Sequence, residues 1–75
     1  MEYKVFKIIN NDGMCIENSE VNQSIRILHA KKGEKFIFQR LSDGVSKICG
    51  LCLNIILEDV LLIKTKTKTW ILEPV

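Results

Sequence analysis

The chain has 75 residues, 47% of them hydrophobic and 27% charged, and its 11 basic and 9 acidic side chains give a net charge of +2. This length corresponds to one small domain, and the apolar content excludes an intrinsically disordered chain. Because the charges nearly cancel, net charge alone does not indicate a polyanionic partner. Binding of that kind would require a local cluster of cations.

Three sequence features bear on the compartment. The N-terminal residues lack the basic and then apolar segments of a secretory signal. The most apolar run, residues 51–63, is broken by Asn54, Glu58 and Asp59 and is shorter than the roughly 20 residues that span a bilayer. The 3 cysteines cannot all pair within one chain, which favours free thiols in a reducing compartment. We therefore expect a cytoplasmic protein with no membrane partner.

The first half of the chain alternates strand-like segments with glycine-containing turns. The predicted turns lie at residues 10–13, 31–34 and 42–44, where a glycine tolerates the positive φ of a tight turn. Residues 18–24 are polar and aperiodic, which predicts a loop. The remaining segments are rich in β-branched and aromatic residues. The predicted strands are residues 3–9, 14–17, 25–30 and 35–41.

Residues 45–57 fit two interpretations. Apolar side chains recur there at helical spacing, whereas the β-branched residues and the interior Gly50 favour a strand with a bulge or bend. We favour the strand; the helix would make the protein α+β. The residues at helical spacing are Val45, Ile48, Cys49, Cys52 and Ile56.

Residues 60–72 contain three Lys-Thr pairs, whose period of two is that of a β-strand. We predict one strand here, with the lysines and the single tryptophan on the same face. On this face the ammonium groups would follow the phosphates of a ligand and the indole would stack on a base. The competing interpretation is a solvated edge strand whose lysines pair with carboxylates or block sheet extension. The predicted face consists of Lys64, Lys66, Lys68 and Trp70.

Two arginines on the neighbouring predicted strands, Arg26 and Arg40, are further candidates for ligand binding. A guanidinium donates two hydrogen bonds at once to a phosphate. If these strands lie near the last one, the arginines would extend the same positive surface.

Short strands separated by glycine turns every ten or so residues predict an all-β fold. We expect a small antiparallel barrel or curled sheet of five or six strands in a single domain, residues 1–75. The alternative is an α+β fold with one helix at about 45–57.

Cys49 and Cys52 have the Cys-x-x-Cys spacing of zinc knuckles and redox pairs, and Cys15 with His29 would complete a four-ligand zinc set. On a regular strand, however, Cys49 and Cys52 point to opposite faces. The favoured interpretation is that the cysteines are small buried residues, so we expect no metal and no cofactor.

The sequence contains no recognisable catalytic pattern. It lacks a Ser-His-Asp arrangement, a paired-carboxylate spacing and a glycine-rich phosphate loop. Its three aspartates fall at predicted turns, where such side chains bond backbone N–H groups. We therefore expect a protein that is not an enzyme.

Two functions fit these features. The first is a binding module that holds a phosphate-bearing ligand, nucleic acid or a nucleotide, on the Lys/Arg face with Trp70. The second is a protein-interaction or inhibitor module that forms a homo-oligomer, because a small sheet cannot bury all of its large apolar side chains. The short, Lys-, Ile- and Asn-rich chain also suits a phage or mobile-element protein that counters defence by sequestering a host signalling nucleotide or by blocking a host protein, a special case of either function. The apolar side chains concerned are Phe6, Phe36, Phe38, Leu51, Leu53 and Leu62.

Overall fold

The computed structural model describes residues 2–75, which form one seven-stranded antiparallel sheet. The predicted all-β class is confirmed, and residues 45–57 contain no helix. Within the described residues no helix is long and apolar enough to cross a membrane. In chain order the strands are β1 (Glu2–Asn10), β2 (Ser24–His29), β3 (Lys35–Arg40), β4 (Ser46–Leu51), β5 (Asn54–Leu57), β6 (Leu61–Lys64) and β7 (Lys68–Pro74).

The strands lie in the order β4-β3-β2-β1-β7-β6-β5. The sheet is curled but not closed, because β4 and β5 are its two edges and do not pair with each other. Register shifts interrupt the β1–β7, β2–β3 and β3–β4 pairings. Such irregularities bend a strand and increase its local twist, which suits a curled sheet.

The core lies on the inner, concave side of the curl. On β1 the buried side chains Val5 and Ile8 are three residues apart, a spacing that is possible because the register shift lies between Val5 and Lys7. Phe36, Phe38 and Trp70 pack around one another, with ring centroids 5.5 Å apart in each pair. The remaining core side chains are Tyr3, Ile25, Cys52, Leu61, Ile63 and Leu72.

The predicted strand at 45–57 is confirmed as extended chain, but it is two strands. Gly50 has a φ of 90° near the end of β4, as expected for the bend that its position predicts. Cys52 then anchors the chain against the β2–β3 loop, since its N–H donates to the Glu34 carbonyl and its carbonyl accepts from Gly33 N–H, both at 2.8 Å. The chain thereby passes from one edge of the sheet to the other.

The predicted single strand at 60–72 is wrong, because these residues form the β6–β7 hairpin. The turn is closed by Thr65, whose N–H and hydroxyl both donate to the Lys68 carbonyl, at 2.8 and 3.0 Å. Thirteen residues of continuous strand would be about 43 Å long, whereas the longest dimension of the molecule is 30 Å. A straight strand of that length would extend beyond the rest of the domain.

The turn at residues 10–13 is confirmed by a hydrogen bond from Asn10 N–H to the Met14 carbonyl, 2.9 Å. The strand predicted at 14–17 is wrong. Only an isolated bridge between Cys15 and Ile9 forms there, because the chain leaves the sheet for the long loop that precedes β2.

Candidate functional site

The hairpin divides the predicted row of cations and changes the direction in which they project. Lys64 ends β6 on its exposed side, Lys66 is in the turn, and Lys68 begins β7. Lys68 and Trp70 do share a face of β7, but it is the inner face, and Trp70 is only 2% exposed. The predicted exposed surface of three lysines and a stacking indole is therefore not formed, because the indole is needed to pack on Phe36 and Phe38.

The four residues lie in two different clefts. The first, which we call the Trp70 cleft, has a volume of about 460 Å³ and contains both Lys68 and Trp70. The second has a volume of about 390 Å³ and contains Lys64 and Lys66. The other residues lining the Trp70 cleft are Asn18, Ser19, Glu20, Lys47, Ile48 and Cys49.

A buried carboxylate forms one wall of the Trp70 cleft. Glu20 is 2% exposed, and its carboxylate accepts a hydrogen bond from Arg40 Nη1 at 3.1 Å and pairs with Lys47 Nζ. A carboxylate can be buried here because two cations compensate for its lost hydration. Its position is fixed by the loop, where Glu20 N–H donates to Asn18 Oδ1 at 2.8 Å. Sequence reasoning missed this residue, since nothing in a polar loop marks one carboxylate for burial.

The arginines predicted to hold a ligand are engaged within the protein. Arg40 donates from Nε and Nη2 to the Asp43 carboxylate, with a shortest distance of 2.6 Å, in addition to its contact with Glu20. The hydrogen bond from Arg40 lowers the pKa of Asp43 to about 2, and the same hydrogen bond raises the pKa of Arg40. Arg26 pairs with Glu2 at 3.0 Å. Ligand binding by either arginine stays a prediction.

The remaining polar groups of the Trp70 cleft are mostly hydrogen-bond donors. The indole Nε1 of Trp70 is buried and has no hydrogen-bond partner among residues 2–75. The ammonium of Lys68 forms no ion pair within the same residues. Burial raises the pKa of the Cys49 thiol to about 11, although the nearby Lys68 acts in the opposite direction. At neutral pH the thiol is therefore protonated.

The possible zinc ligands are not brought together. His29 Nε2 lies 2.9 Å from Glu34 Oε1, Cys15 is exposed near the first turn, and Cys52 is fully buried. Burial also raises the pKa of the Cys52 thiol. Across residues 2–75 no three His, Cys, Asp or Glu side chains are arranged to hold a metal ion. Cys52 is part of the hydrophobic core, and zinc binding by the four residues stays a prediction.

Exposed apolar side chains are concentrated on the two edge strands and the residues next to them. Of the ten large apolar side chains that are exposed in residues 2–75, six come from residues 45–57, which we call the edge segment. A signal was present in the sequence: apolar residues there do not alternate with polar ones, so a strand must place some of them on its outer face. The six are Val45, Ile48, Leu51, Leu53, Ile56 and Leu57.

Comparison with protein-family models, with characterised proteins and with solved structures finds no match. The function is therefore argued from the two surfaces themselves.

Proposed function

We propose that the protein is an interaction module that binds a second copy of itself through the edge segment. The observation that carries the proposal is the concentration of exposed apolar side chains in the edge segment, which contains β4, β5 and their connection. Large apolar side chains gathered on one part of a small soluble domain indicate a contact surface.

The backbone of the edge strands supports the same proposal. β4 pairs only with β3, and β5 pairs only with β6. Each edge strand therefore has N–H and C=O groups directed away from its one neighbour, and these can pair with another strand. A second copy presents identical edges, so the donors and acceptors of one meet those of the other, as in a self-complementary homodimer.

The free energy of association, worked from the exposed apolar side chains, indicates a dimer of moderate affinity. Completing the burial of six half-exposed side chains is worth roughly 5–9 kcal/mol. Association costs about 4–15 kcal/mol in lost translational and rotational freedom. The apolar term alone therefore does not ensure a tight complex, and backbone pairing along the edge supplies the remainder. We expect a dissociation constant on the order of micromolar.

Sedimentation velocity across a concentration series tests the proposal. The mass is expected to rise from that of the 8.6 kDa chain toward twice this value. Two matched variants locate the surface: Leu51, on edge strand β4, is 50% exposed, and Leu28, on interior strand β2, is 49% exposed. Leu51→Lys should weaken association about tenfold or more, whereas Leu28→Lys should leave it unchanged.

Two results would count against this function. The first is a monomer at every concentration up to the solubility limit. The second is an equal effect of the two leucine substitutions, which would place the contact elsewhere. A stable complex between a monomeric chain and a different protein would assign the edge segment to another partner.

A further inference from the structure

We propose that the Trp70 cleft binds a compact oxyanion, a carboxylate or a phosphate, between the Lys68 ammonium and the Trp70 indole N–H. The Trp70 cleft shares Lys47, Ile48 and Cys49 with the edge segment, but the proposal is argued from Trp70 and Lys68 and does not depend on self-association. It also differs from nucleic-acid binding by base stacking, because the indole would contribute its N–H and not its ring face.

The indole N–H is the first support for the proposal. Indole nitrogen is a donor only, and in Trp70 it is buried without a partner in residues 2–75. A buried donor that lacks an acceptor is costly, so most such groups in folded proteins have one. The group that completes this bond must be an acceptor, which selects oxygen atoms of a carboxylate or phosphate over cationic or purely apolar ligands.

The charge of the cleft is the second support. The Glu20 carboxylate is already paired with Lys47 and Arg40, and Arg40 is also paired with Asp43. These four groups sum to zero. Lys68 lines the same cleft as Glu20 and adds one positive charge that forms no ion pair among the described residues. A negative ligand would therefore be attracted to this position.

The uncharged groups that line the cleft favour the same ligand. Asn18 Oδ1 already accepts the Glu20 N–H, so the amide NH₂ is the part of this side chain that remains to bond a ligand. Ser19 contributes a hydroxyl, which can donate. Because Nε1 is buried, a ligand reaches it only after a displacement of the cleft wall, to which the exposed Ile48 of β4 contributes.

A nuclear magnetic resonance titration tests the site directly, because Trp70 is the one tryptophan in the chain and gives a single indole ¹H–¹⁵N signal. Inorganic phosphate and acetate are titrated separately at constant ionic strength, with chloride as the reference anion. A saturable shift of the indole signal is expected with phosphate, acetate or both, and the stronger of the two identifies the oxyanion class. The site should saturate in the millimolar range, as suits one ammonium and a few neutral donors.

Two lysine variants provide the control. Lys68→Met keeps the aliphatic stem but removes the charge, and should weaken binding about tenfold or more. Lys66→Met removes a charge from the other cleft and should leave the titration unchanged. The rest of the same spectrum shows whether each variant is folded. A shift that does not saturate, or one that survives Lys68→Met, would overturn the proposal, whatever the oligomeric state.

Discussion

Replacing Trp70 by phenylalanine changes the stability of this protein in two opposing ways. The substitution removes about three heavy atoms from a side chain that is 2% exposed, and it also removes the unpartnered indole N–H. The first change destabilises the fold and the second stabilises it. Their relative size can be worked out from the structure.

The packing loss is about 2 kcal/mol, taking each missing atom as a methylene-sized group. Removing the unsatisfied buried donor raises the free energy of unfolding by about 1–3 kcal/mol. The ring contacts with Phe36 and Phe38, at centroid distances of 5.5 Å, are largely kept by a phenyl group. We therefore expect the free energy of unfolding of Trp70→Phe to lie within about 1 kcal/mol of the wild-type value.

The measurement is urea denaturation followed by far-ultraviolet circular dichroism, since the variant has no tryptophan fluorescence. The buffer must contain neither phosphate nor carboxylate, so that no oxyanion occupies the cleft. Phe36→Leu is the control, because it also removes three heavy atoms from a fully buried side chain but removes no polar group. It should cost about 3 kcal/mol, including the lost ring contacts with Phe38 and Trp70.

A loss of more than about 2 kcal/mol in Trp70→Phe would refute the reasoning. That result would mean that the indole N–H is satisfied in solution without any added oxyanion. The indole N–H would then need no acceptor from a ligand in the cleft, and the first support for an oxyanion site would be lost.

Two further predictions concern titrating groups. The hydrogen bond from Arg40 lowers the pKa of Asp43 from 3.8 to about 2, so its stabilising contribution is complete above about pH 4 and is lost as the pH falls toward 2. The difference in urea midpoint between wild type and Asp43→Asn should therefore shrink over this interval, and a constant difference would contradict the pairing. Cys49 has a pKa raised to about 11 by burial, and Cys15 is exposed. Iodoacetamide at about pH 8 should thus modify Cys15 about tenfold or more faster than Cys49, which peptide mass spectrometry can measure. Equal rates for the two cysteines would show that β4 opens readily.

The turns and the all-β class could be predicted because their signals are local. Gly13, Gly33 and Gly44 all have positive φ values in the turns where the sequence places them, since no other residue adopts that backbone as readily. Gly50 predicted a bend in the same way. The count is seven because the predicted strands 45–57 and 60–72 each form two strands, while the strand predicted at 14–17 does not form.

The positions of Lys64, Lys66 and Lys68 in the fold could not be predicted from their period alone. The period of two correctly predicts that Lys68 and Trp70 lie on the same face of the strand, but it does not predict which face is buried. That choice depends on the phenylalanines of β3, which lie on a strand distant in the sequence. Thr65 marks the turn only through its bonds to Lys68, and a Lys-Thr repeat carries no glycine, proline or asparagine to reveal it.

The strand order has a consequence for how the molecule assembles during translation. Five of the six pairings join consecutive strands, while β1 and β7 come from opposite ends of the described chain. Residues 2–51 can form a four-stranded meander early, but its first strand has no neighbour on one side until β7 arrives. Since Trp70 and Leu72 of β7 are core residues, the core cannot be completed until β7 has left the ribosome.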